Sequence, residues 1–120
     1  MKKPLAPAHA IMDAAVTEDA FLRQVIELAK LRHWLIHHCR PARTKKGWAT
    51  PIQGDAGFPD LVLVREGRLL FVELKAQKGR VTPDQRIWLA LLKDQAGFHQ
   101  GTGVYLWKPS DWAQIEEVLR

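Results

Sequence analysis

The sequence predicts an α/β fold, one mixed β-sheet flanked by helices, in the order helix, three strands, helix, strand, helix. Three features carry that prediction. "VTPDQ" at 81–85 marks a helix start, with Thr82 as N-cap, Pro83 at the first helical position and Gln85 completing a capping box. "FPDLVLV" (58–64) and "RLLFVELKA" (68–76) are apolar runs separated by Arg65, Glu66 and Gly67, the spacing of a hairpin. Thr17 offers a second N-cap, followed by Glu18 and Asp19 and then by an apolar stripe, Phe21, Leu22, Val25, Leu28 and Ala29, at helical spacing.

Taken in chain order, residues 1–16 hold two prolines without periodicity and read as a flexible leader with room for a short helical piece. A single domain is expected over 17–120. Its first helix runs to about Arg32. Glu18 stands at i+3, i+4 and i+7 from Phe21, Leu22 and Val25, which puts it on the buried stripe, whereas Glu27 points the other way. "WLIHHC" (34–39) suits a short strand. The connection "RPARTKKGWATPIQGDAG" (40–57) is rich in Pro, Gly and basic residues and is long for a compact domain, a property of functional loops. After the hairpin, the helix from Thr82 should end near Gly97 and bury Trp88, Leu89, Leu92 and Ala96. "GVYLW" (103–107) is a further strand, and Ser110 or Asp111 caps a last helix through Leu119.

The chain has 120 residues, enough for one core and too few for two. An apolar fraction of 47%, with five Trp and four Phe, excludes a disordered chain. A net charge of +5 and a pI near 9.7 favour a polyanionic partner; no strongly amphipathic basic helix points to a membrane, so nucleic acid is preferred. Cys39 is the single cysteine, which rules out an intrachain disulfide and a Cys-rich zinc site. With no apolar run near the roughly 18 residues of a membrane span and no signal-peptide pattern, cytoplasmic residence is expected.

The hairpin carries an anomaly. Strand side chains alternate, so Leu70, Val72 and Leu74 share one face while Leu69, Phe71, Glu73 and Lys75 share the other. Asp60 begins the partner strand on the face of Val62 and Val64. A register that brings Asp60 and Glu73 together would set two carboxylates about 4 Å apart, repelling by roughly 4 kcal/mol at an effective dielectric near 20. A divalent cation compensates directly. Hard oxygen ligands favour Mg²⁺ or Mn²⁺ over zinc. Lys75, about 7 Å along the strand from Glu73, is placed to assist an attacking water, and such a site suits phosphodiester hydrolysis. Glu18 would bring a third acidic group from the first helix.

"GFPD", followed twelve residues after its Asp by "ELK", matches the signature of the PD-(D/E)XK nuclease superfamily. More closely, "EDAFLRQVIELAKLRHW", "GFPDLVLV", "LLFVELKAQKGRVTPDQRIWL" and "GVYLWKPSDW" resemble the VRR-NUC (virus-type replication-repair nuclease) domain in its small stand-alone form, over roughly 17–119. The resemblance implies a restriction-endonuclease-like sheet and a metal-dependent endodeoxyribonuclease. It makes Asp60 and Glu73 the metal-binding carboxylates, Lys75 the motif lysine, Glu18 the first-helix glutamate and Gln85 the motif glutamine, a role that can coexist with its capping box. It further implies a homodimer acting on branched or structured DNA, as Holliday junction resolvases do, with DNA repair among its settings and a bacterial or phage-infected cell as its location. The rival expectations are a nuclease for flaps, nicks or RNA, and a non-catalytic DNA-binding module of the same fold.

Around this centre, Arg40, Arg43, Lys45, Lys46 and Trp48 are candidate DNA contacts, pairing phosphate-binding charges with an aromatic that can stack on a base. Lys78 and Arg80, just beyond the motif strand, stand nearer the scissile phosphate. His37, His38 and Cys39 alternate in face along a strand, so they cannot jointly ligate one ion; packing or a DNA-facing hydrogen bond is expected of them. Trp107 and Trp112 are expected in the core or at a dimer contact.

Overall fold

The computed structural model describes residues 7–39, 42–44, 47–49 and 52–120. Helix α1 (Ala8–Ala15) lies within the leader, and α2 (Glu18–Leu31) begins where its cap predicts, the Thr17 hydroxyl accepting from the Ala20 N–H at 3.1 Å. Strands β1 (Leu35–His38), β2 (Ala42–Thr44), β3 (Gly47–Ala49), β4 (Leu61–Arg65) and β5 (Arg68–Leu74) follow. Then come α3 (Pro83–Ala96), β6 (Thr102–Trp107), a 3-10 turn at Pro109–Asp111, and α4 (Trp112–Leu119).

The main sheet has the order β1-β4-β5-β6. β1, β4 and β5 pair antiparallel, and β6 pairs parallel to β5 because α3 carries the chain back to the starting edge between them. The sheet is therefore mixed and flanked by helices, consistent with the restriction-endonuclease-like expectation. One difference lies in the long connection, where β2 and β3 form a separate antiparallel ladder. Three residues per strand are too few for an alternating pattern to show in the sequence. A second difference is at the last helix. Asp111 does stand at the N-cap position of α4, but its carboxylate makes no capping bond there and instead accepts from the Lys108 N–H at 2.8 Å, closing the preceding 3-10 turn.

Strand β4 reaches Arg65, which pairs with Arg68, leaving Glu66 and Gly67 as a two-residue turn. Both have positive φ, 48° and 79°, the type I′ pattern whose twist matches a hairpin. The arginines beside this turn tie the molecule together. Arg65 donates to the backbone carbonyls of Arg32 at 2.8 Å and Arg120 at 2.6 Å, Arg68 donates to that of Val118 at 2.7 Å, and both guanidinium groups lie over the Trp34 ring. Arg65→Ala is expected to cost about 2 kcal/mol in urea unfolding, since it frees the part-buried carbonyls of Arg32 and Leu119 and removes a cation–π contact. Arg23→Ala, which removes only an exposed 3.8 Å pair with Asp19, should cost almost nothing, and equal losses would contradict the clamp.

One face of the sheet packs Leu61, Leu63, Leu70, Val72, Leu74 and Trp107 against Phe21, Val25 and Ala29 of α2 and Ile115 and Leu119 of α4. Trp107 is thus core, and Trp112 is half-buried against it. The other face carries Phe71, whose ring meets Phe58, which in turn meets Trp88 of α3. Of the α3 residues expected in the core, Leu89 alone is buried; Trp88, Leu92 and Ala96 are half-buried. The helix packs chiefly over β6, an edge strand, so much of its apolar stripe overhangs the sheet. Among the described residues, no helix is long and apolar enough to cross a membrane.

Candidate active site

The β4–β5 ladder runs Leu61↔Val72 and Val62↔Phe71, so extending it by one residue sets Asp60 opposite Glu73 on the same face of the sheet. Asp60 is held there by its own carboxylate, whose Oδ2 accepts from the Leu74 N–H at 2.8 Å. Behind it the loop presses against the start of α3. A Cβ on Gly57 would stand 2.5 Å from the Asp84 carbonyl carbon and 2.7 Å from the Gln85 nitrogen. Glycine is needed for that approach and for the positive φ of 101°.

Glu73 is the pivot. Its side chain is 1% exposed, deep in the sheet, and two groups meet its Oε1: the Lys75 Nζ at 3.6 Å and the Gln85 Nε2 at 3.2 Å. Its Oε2 is buried and meets no hydrogen-bond donor among the described residues. Buried carboxylate oxygens are nearly always paired, so an orphan here marks a place for a ligand. Gln85 performs both of its expected tasks at once. Its Oε1 accepts from the Thr82 N–H at 3.0 Å, the Thr82 hydroxyl accepts from the Gln85 N–H at 3.2 Å, and the amide nitrogen is left to reach Glu73.

Glu18 comes from the first turn of α2. It offers a carboxylate oxygen that, with one each from Asp60 and Glu73, forms a group lying within 4.8 Å of one another. Glu18 stays exposed while Phe21, Val25 and Ala29 are buried, so it sits at the open end of the stripe rather than beneath it. Glu18→Gln is expected to lower metal-dependent cleavage by at least about tenfold, against no change for the exposed Glu27→Gln; matched rates would remove the α2 contribution.

The electrostatics agree with a cation site. Burial pushes the Glu73 carboxyl up to about 8, the adjacent Asp60 charge adds to the rise, and Lys75 pulls the other way. Partial burial also raises Glu18, opposed by Lys75 and reinforced by Asp60. Once all three are ionised, the carboxylates outnumber the single ammonium, and the bare Glu73 oxygen gives a cation a ready ligand. The donor set of three carboxylates is compatible with a hard divalent ion.

These groups open into a cleft of about 1060 Å³ at one end of the sheet, whose lining includes Glu18, Asp60, Phe58, Gln85, Leu74 and His38. The sequence pattern did not bring His38 to this cleft, although its place as the last residue of β1, opposite Leu61, was the available signal. As the alternation requires, His37 and Cys39 lie together, with Nε2 and Sγ 3.3 Å apart. Lys78 and Arg80 are exposed on the loop after β5, which is braced by Gln77 donating to the Ser110 hydroxyl at 2.9 Å and accepting from the Ser110 N–H at 3.0 Å. Arg40, Lys45 and Lys46 fall outside the described residues; Arg43 and Trp48 are paired across β2 and β3.

Comparison with curated proteins gives no match. The VRR-NUC domain profile matches residues 14–104, from the end of α1 into β6 and across every carboxylate of the site, and the chain therefore belongs to the VRR-NUC family, a nuclease domain that implies DNA as its partner.

Proposed function

We propose that the chain is a divalent-metal-dependent endodeoxyribonuclease, using Mg²⁺ or Mn²⁺, that cuts branched or otherwise structured DNA. The observation that carries this reading is the trio of Glu18, Asp60 and Glu73 gathered within 4.8 Å around a buried, unpartnered Glu73 oxygen. Asp60 and Glu73 would hold the ion, with Glu18 beside them. When bound, the ion supplies positive charge and Lewis acidity at the scissile phosphate.

The chain's own residues do the rest. Gln85 and the Leu74 N–H fix the two strand carboxylates before substrate arrives, so no reorganisation is needed as charge builds. The Lys75 ammonium, 3.6 Å from Glu73, donates a hydrogen bond to the attacking water and faces the charge that grows on the phosphoryl oxygens. The water oxygen forms the new bond to phosphorus and gives up a proton to solvent, while the bond to the departing oxygen breaks on the opposite side and that oxygen takes up a proton from solvent.

Cleavage of four-way, splayed, flapped, nicked and linear DNA and of RNA, each with Mg²⁺, Mn²⁺ or EDTA, tests the reading. Metal-dependent cuts in branched DNA are expected. Preference for flaps, nicks or RNA would change the substrate class, and binding without cleavage on every substrate would leave a DNA-binding module.

The basic connection belongs to this reading as a DNA contact, with Lys78 and Arg80 near the cut. Neutralising Arg43, Lys45 and Lys46 together should weaken binding and flatten its salt dependence by up to about three units of log–log slope. An unchanged slope would take the connection out of the interface. A homodimer is also part of the proposal, supported by the apolar side chains left in water, Leu35 at 74%, Leu91 at 62% and Phe98 at 77% exposure. Sedimentation as a monomer at every concentration would refute it.

A further inference from the structure

We propose that His38 is a substrate-binding residue whose ring N–H donates to a backbone phosphate of the nucleic acid lying in the cleft, an inference that rests on the nuclease reading above. Position comes first. His38 ends β1 opposite Leu61, a core-side residue, so its side chain leaves the sheet on the α2 side while Asp60 and Glu73 occupy the other. There it lines the cleft with Leu22 of α2 and Leu74 of β5, across from Gln85 and Phe58.

The ring is half-buried and makes no hydrogen bond among the described residues. Its N–H is therefore open to the cleft and available to a ligand that enters there. His37, one residue earlier, is engaged by Cys39 on the opposite face and is not an equivalent.

Charge gives the second argument. Glu18, Asp19, Asp55 and Asp60 all line the cleft, and a phosphate entering among four carboxylates needs a hydrogen-bond donor to hold it. Among the described lining residues, nitrogen-bearing side chains are His38 and Gln85, and Gln85 already donates to Glu73. Gln85 spends one N–H on Glu73 and stands with the carboxylates, so on the α2 side of the cleft His38 is the described lining side chain that offers a nitrogen donor to the backbone of the strand, and a contact of this kind positions without reading sequence.

The test compares wild type with His38→Leu, which removes the donor, and His38→Gln, which keeps an N–H. All measurements are made at pH 8. Binding of a fluorescent four-way junction is read by anisotropy with Ca²⁺ in place of Mg²⁺, and steady-state cleavage is read with Mg²⁺. The Leu variant should bind about tenfold more weakly and raise KM by a similar factor with kcat within about threefold, the effect of one hydrogen bond to a charged acceptor. The Gln variant should recover most of that loss. Wild-type binding by the Leu variant overturns the proposal, as does equal weakening in both variants or a fall confined to kcat. A wild-type chain that binds the junction without cutting it defeats the nuclease reading alone, and the binding arm still decides His38; a wild-type chain that binds no DNA defeats both.

Discussion

Glu73→Gln should abolish metal-dependent cleavage, by about a thousandfold or more, and should at the same time stabilise the metal-free chain near pH 8. The first effect follows from removing a negative ligand beside Asp60 and Glu18 with almost no change in volume. The second follows from linkage. Burial raises the folded carboxyl to about 8 from an ordinary 4.5, so the folded state keeps a proton that the unfolded state releases. That contribution to stability is fully present below about pH 4.5 and is lost as pH climbs through about 8. A glutamine has no proton to lose, so the decline should be absent from the variant.

Thermal melts of both chains from pH 5 to 9 in EDTA check this. Wild type should fall by several degrees over that range relative to Glu73→Gln, given about 4–8 °C per kcal/mol for a domain near this size. Adding Mg²⁺ or Mn²⁺ at pH 8 should raise the wild-type midpoint, because the ion binds the folded, ionised trio, and should do little for the variant. Parallel pH curves with and without the substitution would contradict the buried-acid account; an active Glu73→Gln would contradict the site itself.

Gly57→Ala carries the second large effect. Its Cβ would meet the Asp84 carbonyl carbon at 2.5 Å and the Gln85 nitrogen at 2.7 Å, and φ at +101° adds backbone strain. Either the loop bearing Asp60 or the first turn of α3 bearing Gln85 must retreat. A loss of about 3 kcal/mol is expected, with cleavage down more than tenfold even where the variant is fully folded. Gly54 supplies the control, since its φ is +103° and a Cβ there meets nothing within 4 Å among the described residues. Gly54→Ala should therefore show the backbone cost alone, about 1 kcal/mol, and near-normal cleavage. Equal behaviour of the two variants would mean that the close approach to α3 is not what aligns the carboxylates.

The sequence by itself determined whatever depends on neighbours along the chain. Thr17 and Thr82 start helices because their hydroxyls reach N–H groups three residues on, and Leu70, Val72 and Leu74 face the core because a strand alternates. The same alternation put Asp60 and Glu73 in adjacent hairpin strands but left their register open across Arg65, Glu66 and Gly67; the pairing of Arg65 with Arg68, which shortens the turn to two residues, makes the two carboxylates neighbours. Local patterns were silent where distance in sequence is closed by packing. How far α3 overhangs the edge strand, leaving Trp88 and Leu92 half-buried, depends on the width of a sheet that no helix-length window contains. The first helix predicts Glu18 as a third carboxylate, but how closely it approaches Asp60 and Glu73, the press of Gly57 on Asp84, and the turn of His38 into the cleft are decided by tertiary structure. Each is a contact between elements whose order the chain encodes locally but whose separation and tilt are set only when the shared core closes.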